Sequence, residues 1–120
     1  MGQSYRDLIA WQKAMDYVMD TYKATACFPK DEVYGLAVQM RRAVIAIPSN
    51  IAQGQARFSP GEFHLYLGRA RGALAEVETQ IAIARNPNYL SEERLQYLLG
   101  KSTEIGKILS GLAHAIRPAA

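Results

Sequence analysis

Gln39-Met40-Arg41-Arg42-Ala43-Val44-Ile45-Ala46-Ile47-Pro48-Ser49-Asn50-Ile51-Ala52-Gln53-Gly54 is the stretch on which the fold turns. Counting back to Leu36, the residues Leu36, Met40, Ala43, Ile47 and Ile51 recur at spacings of 4, 3, 4 and 4, which is one face of a helix. Pro48 falls inside this run. An interior proline removes one backbone hydrogen bond, and its ring meets the carbonyl one turn back, here Val44. The apolar stripe stays in phase through to Ile51. The spacing therefore predicts one helix kinked at Pro48 rather than two helices meeting there. Asp31 is the expected cap of this helix, and Gly54 to Phe58 read as its frayed end and a loop. Helix propensity alone would not choose a proline, a serine and an asparagine here. A tertiary contact has to reward them.

Three further helices flank this one. Leu8, Trp11, Met15, Val18, Tyr22 and Ala26 mark a first helix over about residues 4–27, capped by Ser4 and stopped by Phe28-Pro29. Ser59-Pro60-Gly61-Glu62 opens the third: serine caps, proline takes the first position, and glutamate reaches back. Its seam runs Phe63, Leu67, Ala70, Leu74, Val77, Ile81 and Ala84 at strict heptad spacing. Asn86-Pro87-Asn88 is a turn. Ser91 caps the fourth helix, whose seam is Leu95, Leu98, Ser102, Ile105, Leu109, Leu112 and Ile116, with Arg117-Pro118 at its end. Short connections force neighbouring helices antiparallel. The expectation is an all-α, antiparallel, up-down-up-down four-helix bundle forming a single domain over residues 1–120.

Composition removes several function classes. The chain has 120 residues, 49% hydrophobic, with a net charge of +3. Its one cysteine, Cys27, forms no internal disulfide and reads as a buried, inert thiol at a helix end. No apolar run approaches the ~18–20 residues of a membrane span. The N-terminus lacks a basic region followed by an apolar stretch, so a cytoplasmic location is expected. His64 and His114 are the only histidines. Gly61 and Gly111 precede them by three, so the Glu-x-x-His motif of di-iron bundles is absent. Glu76 and Glu78 are two apart and face different ways on a helix. No phosphate loop or nucleophile constellation occurs. A helix-turn-helix fits poorly, because the connection after Gly54 runs on to Ser59. The reading is non-enzymatic, with no metal, no cofactor and no evident small-molecule substrate.

The positive charge has a location. Residues 33–75 carry Arg41, Arg42, Arg57, Arg69 and Arg71 against Glu62 alone, while both ends of the chain are nearly neutral. Arginine's planar fork suits phosphate. Arg41, Arg57, Arg69 and Arg71 are the candidates for nucleic-acid contact. If helices two and three meet around residues 55–60, Arg42 comes level with Glu76, Asn50 with Leu67, and Trp11 with Pro48. Arg42, Asn50 and Glu76 are thus candidates for a structural polar network between helices. Apolar residues also exceed one stripe per helix: Tyr5, Ile9 and Met19, then Val33, Val38, Val44 and Ile45, then Leu99 and Ile108. This surplus either widens the core face or forms a subunit contact, and a homo-oligomer is the expectation.

The same residues carry a family resemblance. Leu8-x-x-Trp11-Gln12-Lys13-Ala14, Phe28-Pro29-x-x-Glu32, Tyr34-Gly35-Leu36 and Gln39-x-x-Arg42-Ala43 come first in order. The strongest match is Ile47-Pro48-Ser49-Asn50-Ile51-Ala52-x-Gly54, followed by Arg57, Glu62-Phe63, Leu67, Ala70-Arg71-Gly72, Leu74-Ala75-Glu76-x-Glu78-x-Gln80 and Tyr89-Leu90. In these motifs the chain resembles the bacterial 23S rRNA intervening-sequence proteins. Gln53 stands where that family usually has glutamate, and Ala73 where it usually has serine. The resemblance implies an antiparallel bundle assembled as a homopentamer. The accessory protein of diversity-generating retroelements is similar in structure and is taken to bind nucleic acid, which implies a scaffold for RNA or DNA. The alternative is a protein–protein interaction scaffold with its arginines in subunit contacts and no nucleic-acid partner.

Overall fold

The computed structural model describes residues 4–32 and 34–116. Its helices are α1 (Ile9–Thr25), α2 (Leu36–Gln55), α3 (Pro60–Arg85) and α4 (Glu92–Ala115), and no strand occurs among the described residues. Single turns of 3-10 helix, Tyr5–Asp7 and Lys30–Glu32, precede α1 and α2. The all-α four-helix reading holds. Val33 and the expected terminator Arg117-Pro118 lie outside the described residues.

Local chemistry explains where each helix starts. The Ser59 hydroxyl accepts from the Glu62 amide at 3.3 Å, with Pro60 in the first turn of α3. The Ser91 hydroxyl accepts from the Arg94 amide at 3.1 Å and starts α4. Both serine caps match the sequence reading, whereas the Glu62 carboxylate, expected to reach back to the cap, faces Arg57. Two other starts differ from it. Ser4 caps only the short turn before α1, whose own cap position is the extended Leu8. Asp31 does not cap α2. Instead Glu32 Oε1 accepts from the Leu36 amide at 3.1 Å, while its Oε2 accepts from the Tyr89 hydroxyl at 2.9 Å. One carboxylate thus ends one connection and ties it to the α3–α4 turn. Helix α2 continues unbroken through Pro48.

Each helix packs on two neighbours, closing a cycle α1–α2–α3–α4 around one core. Residue pairs run in opposite order along α3 and α4: Leu74 meets Gly106, Glu78 meets Ser102, and Arg85 meets Glu92. Along α1 and α4, Lys13 pairs with Glu104 and Asp20 with Tyr97 in the same opposed sense. The molecule is elongated, 47 × 22 × 21 Å.

The seams read for α2, α3 and α4 are buried or half-buried throughout. Helix α1 is rotated from its expected face. Ala10, Ala14, Tyr17, Thr21 and Ala24 are buried, whereas Met15 is exposed and Trp11 and Tyr22 are half-buried. The alanines let α1 approach the core closely. Its larger residues then form a flank against α2. Apolar size, the signal used to phase this helix, marked that flank together with the buried Val18.

Candidate nucleic-acid interface

The arrangement begins at Gly54. A Cβ placed there would lie 2.6 Å from the Tyr66 Cβ and 3.2 Å from Phe63 Cδ1, closer than atoms tolerate. Only glycine lets the first turns of α3 seat on the last turn of α2. Tyr66 is buried by this approach, and its ring becomes a shared platform. The Arg57 Nη2 donates to the Tyr66 hydroxyl at 2.8 Å, and its guanidinium lies 5.1 Å from the ring centroid. Arg69, one turn beyond Tyr66 on α3, sits over the same ring at 4.6 Å. Both arginines stay exposed. Glu62, half-buried, is 3.7 Å from Arg57 Nη1. Two cations therefore share a tyrosine and one of them pairs with a carboxylate, leaving an excess positive charge that faces solvent.

The other two candidates are placed elsewhere. Arg41 is half-buried, and its Nε donates to Thr25 Oγ1 at 2.8 Å and its Nη2 to the Tyr22 carbonyl at 3.2 Å. Its guanidinium also covers the Tyr22 ring at 4.5 Å. Arg41 thus adds a bond to a carbonyl that already accepts from the Ala26 amide in the last turn of α1, and staples α1 to α2. Arg71 is exposed on the rim of a shallow α3–α4 groove beside Glu78 and Lys107.

The expected interhelical network of Arg42, Asn50 and Glu76 does not form. Arg42 and Glu76 are both exposed, and no ion pair joins them among the described residues. Glu76 accepts from Gln80 Nε2 at 3.3 Å, one turn along its own helix. Asn50 Nδ2 donates to the Ala46 carbonyl at 2.7 Å, also within its helix. With Leu74, Val77 and Ile81 buried, Glu76 lies off the seam of α3. Trp11 and Pro48 do line one α1–α2 groove of about 300 Å3, with Met15 and Ile45 beside them.

A different polar group occupies the core. Tyr17, Thr21, Gln80 and Ser102 are all buried. The Ser102 hydroxyl donates to Glu78 Oε2. It lies beside the Tyr17 phenol, yet the phenol oxygen makes no bond of good geometry. Burial raises the Tyr17 pKa well above its ordinary value, the Ser102 hydroxyl lowers it, and the charges of Glu78 and Asp20 raise it further. Ser102 was visible in the sequence as the polar member of an apolar seam. Its partners came from two other helices, and no spacing linked them to it. Cys27 is also a correction: it is exposed, and Arg94 Nη1 donates to its sulfur at 3.0 Å. Of the two positions that depart from the family pattern, Gln53 is exposed and Ala73 is buried. No cluster of three or more His, Cys, Asp or Glu fit for a metal occurs among the described residues.

A family model, that of the 23S rRNA-intervening sequence protein, matches residues 6–111. The chain belongs to this family. The match takes in Arg41, Arg42, Arg57, Arg69 and Arg71. A crystal structure of an S23 ribosomal protein family member of unknown function, from Bacteroides thetaiotaomicron, superposes with a TM-score of 0.78 at 20% identity. The alignment covers 88% of this intervening-sequence protein and 98% of that chain, so the fold is shared. No curated protein matches. No helix among the described residues of this intervening-sequence protein is long and apolar enough to cross a membrane.

Proposed function

We propose that this intervening-sequence protein is a non-enzymatic, cytoplasmic, oligomeric scaffold that binds RNA or DNA through the arginine surface of α2, α3 and their connection. The observation that carries the reading is the shared seating of Arg57 and Arg69 on Tyr66. A guanidinium already held on a ring loses little freedom on meeting a phosphate; Arg69 keeps its fork for a bidentate contact, while Arg57 shares its donors with Tyr66 and Glu62. Arg71, on the α3–α4 groove, and Arg42, exposed on α2, add positive charge outside that patch. Arg41 is left out, because its donors are engaged with Tyr22 and Thr25.

One such patch is small, so repetition matters. Ile9, Met15, Met19 and Ile45 are exposed on α1 and α2, an apolar surface suited to contact with further copies. A homopentamer, the assembly implied by the resemblance, would present five patches to one polymer and raise avidity without new contacts. A second reading has a specific observation behind it. Leu65 is 48% exposed, one turn before Arg69, and an apolar residue beside arginines is also the composition of a subunit contact.

Light scattering and fluorescence anisotropy with a labelled structured RNA, across a salt series, test both. The proposal expects an oligomer whose affinity falls steeply with salt. It also expects a double variant Arg57→Ala/Arg69→Ala to reduce the log–log salt slope by about 1.5 to 2 per chain while the assembly persists. Absence of binding at low salt overturns the nucleic-acid reading. Dissociation of the double variant into monomers favours the subunit-contact reading.

A further inference from the structure

We propose that Phe58 is a stacking platform for an unpaired nucleobase, so that the strand held at Arg57 and Arg69 is single-stranded. This rests on the nucleic-acid reading above and specifies its ligand.

Phe58 sits in the α2–α3 connection with φ 56°, in the left-handed region. The Arg57 amide bonds the Gly54 carbonyl and the Phe58 amide bonds the Gln55 carbonyl, so the chain leaves α2 through a tight turn. Such a position is normally taken by glycine, or by asparagine with its short polar side chain. The molecule contains its own control. The α3–α4 turn has the same need, and there Asn88 supplies φ 58°. At the α2–α3 turn a bulky aromatic is used instead. Packing does not reward it, because Phe58 is 79% exposed. A side chain that suits neither its backbone nor its solvent calls for an external partner.

The surroundings define that partner. Phe58 borders an open cavity of about 450 Å3 walled by Pro60, Phe63 and Ile116. Among the described residues the cavity lining carries no charged side chain; its cations are Phe58's chain neighbour Arg57 and, on the same Tyr66 ring, Arg69. Flat apolar surface next to paired guanidiniums matches a base joined to its phosphates. A duplex keeps its bases stacked inside and offers an exposed aromatic little to stack on, whereas a single strand can splay a base onto it. Charge complementarity selects this occupant over an apolar peptide or a second copy.

The experiment is anisotropy on the full chain with a labelled oligouridine strand and, separately, a mixed-sequence duplex. Phe58→Ala, Phe58→Tyr and the Arg57→Ala/Arg69→Ala double variant are compared with the parent. The expected result is preference for the single strand and a roughly 5- to 150-fold loss of that affinity in Phe58→Ala. The salt slope and duplex affinity stay unchanged, and Phe58→Tyr retains binding. A 2-aminopurine placed in the strand should be quenched by the parent and not by Phe58→Ala. The result that overturns the proposal is equal single-strand affinity in Phe58→Ala and the parent. If the double arginine variant still weakens binding in that case, the broader nucleic-acid reading stands. If the parent binds neither ligand at low salt, both fail. Loss of assembly in Phe58→Ala with unchanged strand binding also overturns it, and assigns the residue to contact with a second copy.

Discussion

A methyl group at residue 54 has nowhere to go. The atoms it would strike belong to Tyr66 and Phe63, at the tightest point between α2 and α3. Gly54→Ala is expected to destabilise the protein by about 1–3 kcal/mol, the usual cost of overpacking, measured by denaturant unfolding. Gly68→Ala is the matched comparison, because its added Cβ meets nothing within 4 Å. There the ordinary helix preference for alanine should raise stability by up to ~1 kcal/mol. Equal effects at both positions would remove Gly54 from its role under Tyr66. The Gly54 contact was only partly legible beforehand. The sequence placed a glycine near the end of the second helix, but the residues pressed against it lie 9 and 12 positions further on. Arg57 and Arg69 were singled out by charge. Tyr66, which joins them, carries no charge and falls next to the seam residue Leu67, so nothing in the spacing marked it.

Helices α3 and α4 were legible because their signals are local. A serine bonds an amide three residues away, and a heptad of large apolar residues follows. Helix α2 begins by a device that is not local. Glu32 reaches the Leu36 amide and also receives the Tyr89 hydroxyl, 57 positions distant. Asp31, one residue earlier, has the better capping chemistry on paper, and only the fold selects between them. Glu32→Ala removes the cap and the tie together. It should lower the melting temperature, with a stability loss of about 1–2 kcal/mol by analogy with lost helix caps. Asp31→Ala should change little. An equal loss at Asp31 would mean that the helix starts from the other carboxylate in solution. Helix α1 taught a similar lesson. Its staple to α2 runs from Arg41 to Thr25, and its seam mixes Ala10, Ala14 and Ala24 with Tyr17 and Thr21, a pattern that a search for large aliphatic residues passes over.

At the scale of the whole bundle, the core is not purely apolar. Tyr17 is fully buried, and burial raises its phenol above the ordinary tyrosine value near 10. The hydrogen bond from Tyr89 to Glu32 raises that phenol as well. Well below pH 10 both groups are neutral, folded or unfolded, and contribute no pH dependence. Above it the unfolded chain loses protons that the folded chain keeps, so stability falls as pH rises. The melting temperature should therefore drop between pH 9 and 11, with Tyr17 contributing roughly 1 kcal/mol per pH unit. Tyr17→Phe should flatten part of that drop and leave neutral-pH stability level or higher, since it removes a buried hydroxyl without a well-formed bond. A variant that melts with the parent's pH profile would place the sensitive group elsewhere.

The exposed Cys27 has a practical use that follows from where it lies. It sits with Arg94 at the end of the molecule where α3 meets α4, while Phe58 and Arg57 occupy the far end of the 26-residue α3. As the sole cysteine of the chain, it offers one attachment point per copy, remote from the basic patch. A spin label or fluorophore placed there would report distances between copies in an assembly without touching the surface proposed to hold a strand.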